Sequence, residues 1–185
     1  MISKAIIAHE IGHAISAFAQ DSGYIPTLIE LSESKNCLAA CYMDDFKMAK
    51  PGPYGKTKGI CDLGGIFGEL IYQGWWNPWG ARLDLDNFIS SNPKLVELDN
   101  WLWVDTEEGS FHYLNSYPTT KERRDVKVDS HSTFRNTPYI WEAYCDFCDR
   151  IDKEEFLQAV NEVYKNKTES IEGKDMAALG KRIIL

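Results

Sequence analysis

Nowhere in this sequence do about 20 apolar residues run together, the length an α-helix needs to cross a bilayer. The most apolar early stretch, residues 5–8, is broken at once by His9 and Glu10, which excludes a membrane partner there and predicts that no leader peptide is cleaved. Basic residues are also in short supply. Twenty Lys and Arg stand against 28 Asp and Glu, a net charge of −8 that repels phosphate backbones and argues against nucleic acid as a partner. The small basic patch at residues 121–124 does not reverse that balance. Cysteine is too sparse and odd in number, five in 185 residues, to read as a disulfide framework, so reduced thiols and a cytoplasmic setting are expected. Between about Pro93 and Pro138 there is neither an internal repeat nor a low-complexity tract.

What the chain does have is apolar and aromatic surface, 44% and 12% of residues with six Trp, enough for one ordinary domain or a domain with a helical appendage. Ile7, Ile11, Ala14, Ile15 and Phe18 share one face of a helix expected over 3–20, which Gly23 and Pro26 stop. Two short apolar runs, 27–31 and 37–43, flank a polar segment and read as a β-hairpin. After a loop marked by Pro51, Gly52, Pro53 and Gly55, the residues Ile60, Leu63, Phe67, Leu70 and Ile71 predict a second helix ending near Gly74. Leu85, Phe88 and Ile89 predict a third before Pro93. Trp101, Trp103, Phe111 and Tyr113 belong to short strands or irregular packed structure. Helix returns with Trp141, Tyr144, Cys145 and Cys148 on one face, then with Phe156, Val160 and Val163 after a cap at Asp152. Residues 165–174 read as a polar connection to a frayed end. The expected fold is α+β and mainly helical, with a core over 1–92 and an accessory region, mixed then helical, packed on it over 93–185.

The first helix carries His9-Glu10-Ile11-Gly12-His13. A spacing of four residues advances about 400°, so both imidazoles sit one turn apart on the same side, roughly opposite Ile7, Ile11 and Ile15. Two ring nitrogens so placed can chelate one ion, and zinc suits them. Glu10 lies beside the pair without sharing its direction, which suits a carboxylate that handles the proton of an attacking water rather than the metal. A catalytic zinc site needs a third protein ligand and an open position. Composition leaves Glu69, Asp84, Asp86, His112 and His131 as candidates. Glu69 has a second reading, as a carboxylate that orients a ligating histidine through its other ring nitrogen.

At this point the sequence resembles the peptidase domain of the FtsH-like AAA+ zinc proteases. The stretch Ala8-His9-Glu10-Ile11-Gly12-His13-Ala14 is similar to that family's active-site helix, and Leu63-Gly64-Gly65-Ile66-Phe67-Gly68-Glu69, followed by Gly74, is similar to its later helix. Gly80-Ala81-Arg82-Leu83-Asp84-Leu85 matches the family's third-ligand segment, so the resemblance implies Asp84 as the third zinc ligand. It also implies a zincin-like metalloendopeptidase with Glu10 as general base. The match covers about residues 1–92, with its motifs in the family's order. The sequence departs from the pattern in having Glu69-Leu70 for a pair of glutamates, three Trp before Gly80, and no counterpart of the ATPase domain. The expected substrate is therefore flexible or unfolded polypeptide, with a separate unfoldase or one specific target protein as a further partner. Strand addition along Leu38, Ala39, Ala40 and Cys41 would hold an extended substrate.

Other features read more blandly. Cys145 and Cys148 have the spacing of a zinc knuckle or redox pair, but they share a helical face with aromatics, where thiols pack as small hydrophobes. Cys37 and Cys41 on one strand would lie about 13 Å apart, too far to chelate together. Cys61 reads as core. Trp75, Trp76 and Trp79 either cap the core or wall the cleft. The alternative to an enzyme is a catalytically silent metal-binding interaction protein on the same fold.

Overall fold

A computed structural model describes residues 2–19, 24–32, 39–45, 54–77, 80–91, 103–106, 109–112, 127–129 and 138–185. The protein is mainly helical with a small three-stranded antiparallel sheet. Helix α1 spans Lys4–Ala19. It starts where Ser3 Oγ accepts the Ile6 N–H at 3.3 Å and the Ser3 carbonyl accepts that of Ile7 at 3.1 Å, a side-chain cap on an otherwise orphaned donor. From Ile7 to Ala17 every residue of α1 is buried, so the helix runs through the middle of the molecule.

One wall around α1 is helix α2, Tyr54–Gln73. The two helices meet backbone to backbone: a Cβ on Gly12 would run into the Gly64 carbonyl, and one on Gly68 into the Ala8 carbonyl. Glycine at these positions is a packing requirement. Helix α2 ends at Gly74, whose φ of 77° lets its N–H return to the Leu70 carbonyl at 2.9 Å, the left-handed stop that glycine accepts at no steric cost. A two-residue strand β3, Trp75–Trp76, pairs with a later one at Val128–Asp129, and helix α3 follows over Arg82–Ser91.

The sheet also packs on α1. Strand β1, Tyr24–Glu30, is central, with β2, Ala40–Asp45, antiparallel along one side. The ladder shifts between Pro26 and Leu28, at the proline that has no N–H to offer. The hairpin is thus where the sequence put it, its strands displaced by a few residues; Leu38 lies outside the described residues. Trp103–Thr106 (β4) and Gly109–His112 (β5) form a second hairpin, and Val128–Asp129 is β6. Trp103 and Phe111 therefore belong to short strands, while Trp101 and Tyr113 lie outside the described residues.

The C-terminal segment departs from expectation in two ways. Helix α4, Pro138–Asp149, buries Ile140, Ala143 and Phe147, leaving Trp141 45% exposed and Cys145 and Cys148 only half-buried. The true apolar stripe is therefore offset from the one drawn through Trp141 and the cysteines. Helix α5, Lys153–Asn166, does start on Asp152, whose carboxylate accepts the Glu154 and Glu155 N–H groups. Beyond it the end is not frayed. Ser170–Glu172 is strand β7, which completes the sheet on the far side of β1, and Gly173–Ile183 is helix α6. Met176, Leu179, Gly180 and Ile183 form its buried stripe, and Arg182 reaches both Glu155 and Glu162 of α5. One core joins Ile11 and Ile15 of α1 with Ile29, Phe67, Phe147, Phe156 and Ile183. Burying each such side chain stabilises the fold by roughly 1.5–3 kcal/mol. Among the described residues no helix is long and apolar enough to cross a membrane.

Candidate metal centre

The apolar face of α1 fixes where its other face points. With Ile7, Ile11 and Ile15 in the core, His9, Glu10 and His13 turn into a cleft of about 700 Å³ between α1, β2, α2 and α3. They are 9%, 7% and 8% exposed, so these polar groups need partners.

Each imidazole is held by its Nδ1. In His13 that nitrogen is 2.8 Å from the Cys61 carbonyl, which can only accept, so Nδ1 carries the proton. In His9 it is 2.8 Å from Glu69 Oε1, and an ionised carboxylate likewise assigns Nδ1 as donor. Both Nε2 atoms are thereby left to face one another at 3.1 Å, with the rings edge to face. Asp84, in the first turn of α3, closes the triangle: Oδ2 is 2.9 Å from His9 Nε2 and Oδ1 is 3.4 Å from His13 Nε2. One ligand atom from each of the three residues falls within 4.8 Å of the others.

Electrostatics follow from this crowding. Burial lowers the affinity of the His9 ring for a proton, but hydrogen bonds to Asp84 and Glu69 outweigh it and hold the ring well above its ordinary value. Burial likewise lowers His13, the largest single effect, but the charge and hydrogen bond of Asp84 together with the charge of Glu10 leave the ring raised. For Asp84 burial works upward and the two imidazoles win, leaving the carboxyl below the usual range. Glu10 is the exception. Its burial dominates and pushes it up, against the pull of His9 and His13 and a hydrogen bond from the Cys41 backbone. The centre attracts positive charge, and the Glu10 carboxylate within it has an enhanced appetite for a proton.

The residues fit a zinc ion by a test independent of motif. Gly65, on α2, faces the gap between the two imidazoles: a Cβ there would lie within 3.0 Å of both Nε2 atoms. Space is kept open against the tips of both imidazoles, and two imidazoles with a carboxylate are a zinc donor set.

Of the other candidates, Glu69 takes the orienting place behind His9, and Asp86 turns away to Arg82 at 3.7 Å. The backbone of His112 lies in β5, and His131 lies outside the described residues. Ala39, Ala40 and Cys41 line the cleft. Trp76 is buried in the core and Trp75 carries the Lys127 ammonium 4.8 Å from its ring centroid; Trp79 lies outside the described residues. Cys41, Cys61, Cys145 and Cys148 form no disulfide; Cys37 lies outside the described residues. The Cys61 carbonyl and the vacant side of Gly65 were not foreseen. The first is a backbone group with no signature in residue type, and the second was visible only as part of a glycine-rich helix. No protein-family model matches the chain, and no curated protein is similar to it at a significant level.

Proposed function

We propose that the protein is a zinc-dependent endopeptidase of zincin-like, FtsH-like type, acting on flexible or unfolded polypeptide in a reducing, cytoplasmic compartment. The observation that carries this reading is the convergence of His9 Nε2, His13 Nε2 and an Asp84 carboxylate oxygen in the same cleft as buried Glu10 and strand β2. His9, His13 and Asp84 would hold the ion. When bound, zinc supplies Lewis-acid polarisation of a peptide carbonyl and lowers the pKa of water to about 7.

The chain's own residues do the rest. The Glu10 carboxylate accepts a proton from the water that attacks the scissile carbonyl carbon. As the C–N bond breaks it returns that proton to the leaving nitrogen, giving an amine and a carboxylic acid, and loss of the acid's proton to the amine or to solvent leaves the carboxylate. Its raised proton affinity suits both transfers. Hydrogen bonds from both Nδ1 atoms, to Glu69 and the Cys61 carbonyl, keep the imidazoles turned so that Nε2 faces the cation.

Strand β2 supports the substrate class. In the described sheet its order is β2-β1-β7, so β2 is an edge. The Tyr42 carbonyl faces β1, where Thr27 Oγ1 donates to it at 3.2 Å. Alternation then sends the Cys41 and Met43 backbone groups the other way, and Cys41 indeed bonds Glu10. An extended peptide pairing with that edge would lie beside the base and the ion. Segments already paired inside a fold cannot add to that edge, which leaves unfolded chains, chains delivered by a separate unfoldase, or one specific target with an extended segment.

The test joins metal analysis to proteolysis of labelled casein, with and without a chelator. The expected result is bound zinc and cleavage that stops on chelation and returns with zinc. Cleavage that persists without zinc would exclude the mechanism. Bound zinc with intact casein and an intact panel of unfolded substrates would leave the silent metal-binding reading.

A further inference from the structure

Glu69 is 7% exposed and its two oxygens serve different parts of the site. Oε1 takes the Nδ1–H of His9 at 2.8 Å. Oε2 takes the backbone N–H of Asn77 at 3.2 Å, with Gln73 Nε2 donating more distantly at 3.4 Å. Asn77 in turn builds the bend from which α3 starts. Its side-chain Oδ1 accepts the Gly80 N–H at 3.2 Å, and its carbonyl accepts the Ala81 N–H at 3.2 Å. The Ala81 carbonyl then accepts from Leu85 at 3.0 Å, which closes the helical turn that carries Asp84. One buried carboxyl group thus touches the His9 ring and the root of the helix that carries Asp84.

We propose that Glu69 is a positioning residue that couples His9 of α1 to the α3 turn bearing Asp84, so that one carboxylate sets two ligands from different helices. The identity of the ion rests on the zinc reading above; the coupling itself does not. The residue type is dictated by the donors. His9 Nδ1–H and Asn77 N–H both need an acceptor, and a carboxylate offers two accepting oxygens where an amide of the same shape offers one. Glutamine can satisfy either donor but must turn its NH₂ toward the other.

The experiment compares wild type with Glu69→Gln and Glu69→Ala. In chelator-treated protein at alkaline pH, the ring ¹⁵N shifts of His9 and His13 report which nitrogen carries the proton, and hydrogen exchange reports the amides of residues 77–85. In Glu69→Ala, His9 is expected to lose its Nδ1–H preference while His13, held by Cys61, keeps it. The Asn77, Ala81 and Leu85 amides are expected to exchange at least about tenfold faster. Competition against a chromophoric chelator is expected to show zinc affinity down by about 10–100-fold. If the alanine variant does not fold, the isosteric Glu69→Gln decides, through a disturbed His9 ring or a loosened turn. Movement of neither, or faster exchange throughout the protein rather than in the turn, would overturn the coupling. A wild type that binds no zinc while the ring and amide effects of Glu69 remain would sink the zinc reading and leave the coupling standing.

Discussion

His9 Nε2 and His13 Nε2 stand 3.1 Å apart with both Nδ1 atoms already committed, one to Glu69 and the other to the Cys61 carbonyl. Two neutral rings in those tautomers would aim lone pairs at each other, so positive charge belongs between them. Asp84 reinforces the demand from a third direction. His13→Ala and Asp84→Ala are each expected to lose tight zinc binding in equilibrium dialysis while far-UV circular dichroism stays that of the wild type. Asp84→Ala with undiminished affinity would remove Asp84 from the ligand set.

Glu10 is close to the ligands but is assigned the proton, and that assignment separates binding from chemistry. Glu10→Gln keeps the shape and can still accept the Cys41 N–H, but it cannot take a proton from water. Zinc affinity is expected to hold while kcat falls by roughly 10²–10⁴-fold, the range for a lost general base. The check is zinc competition alongside steady-state cleavage of one labelled peptide. Full turnover in this variant would refute the role.

Gly12 and Gly65 look alike in the sequence, yet the structure gives them different reasons. A Cβ on Gly12 would strike backbone, the Gly64 carbonyl, and neither helix can yield locally; Gly12→Ala is expected to destabilise by at least about 1–3 kcal/mol. The nearest atoms a Cβ on Gly65 would meet are the imidazole tips, side-chain atoms that can shift by giving up their Nδ1 hydrogen bonds, and alanine gains about 1 kcal/mol of helix propensity over glycine. Gly65→Ala is therefore expected to stay folded and lose zinc. Urea unfolding and zinc competition on the two variants check the contrast, which fails if Gly65→Ala binds zinc like wild type.

How far this site could be read from the sequence depended on which residues repeat a pattern. The α1 and α2 faces were legible because Ile7, Ile11, Phe67 and Leu70 recur at helical spacing, and with them the direction of His9 and His13. Helix α6 was not. Its stripe of Met176, Leu179, Gly180 and Ile183 is short and set among charged residues, and the end of α5 is marked by Lys167 in the left-handed region, φ 52°, where glycine is the usual signal. The tertiary contacts that stabilise it, such as Ile171 pairing with Ile29 on β1, leave no local trace. At the site, side-chain donors were legible by type, whereas the Cys61 carbonyl and the Asn77 N–H are backbone groups that any sequence possesses.

The raised proton affinity of the two imidazoles gives opposite pH dependences with and without zinc. In chelated protein, His9 and His13 are held above their ordinary value of 6.5. Their stabilisation is complete below that value and is lost as pH rises through the folded values. Asp84 is held below its ordinary 3.8, so its contribution is present above that and lost only as pH falls through its folded value. Zinc must displace the ring protons, so its affinity and its stabilisation rise with pH. The gap in melting temperature between zinc-loaded and chelated protein is expected to widen from about pH 6 to pH 8, the range in which histidines exchange protons. Scanning calorimetry at fixed free zinc checks this, and a gap that narrows would contradict it.

The edge of β2 makes the substrate-binding reading testable without touching a ligand. Met43 lines the cleft, and by the alternation fixed at Tyr42 its N–H points away from β1. Met43→Pro removes that donor while sparing the β1 ladder, since proline is tolerated on a free edge. Met43→Ala trims the same side chain and keeps the donor, so the pair isolates the backbone group. If extended substrate pairs there, Met43→Pro is expected to lower kcat/KM on unfolded polypeptide about tenfold relative to Met43→Ala, the worth of one good hydrogen bond. Zinc affinity should be equal in the two variants, because no ligand or orienting group has changed. Equal kcat/KM in the proline and alanine variants would mean that the polypeptide reaches Glu10 by some route other than strand pairing.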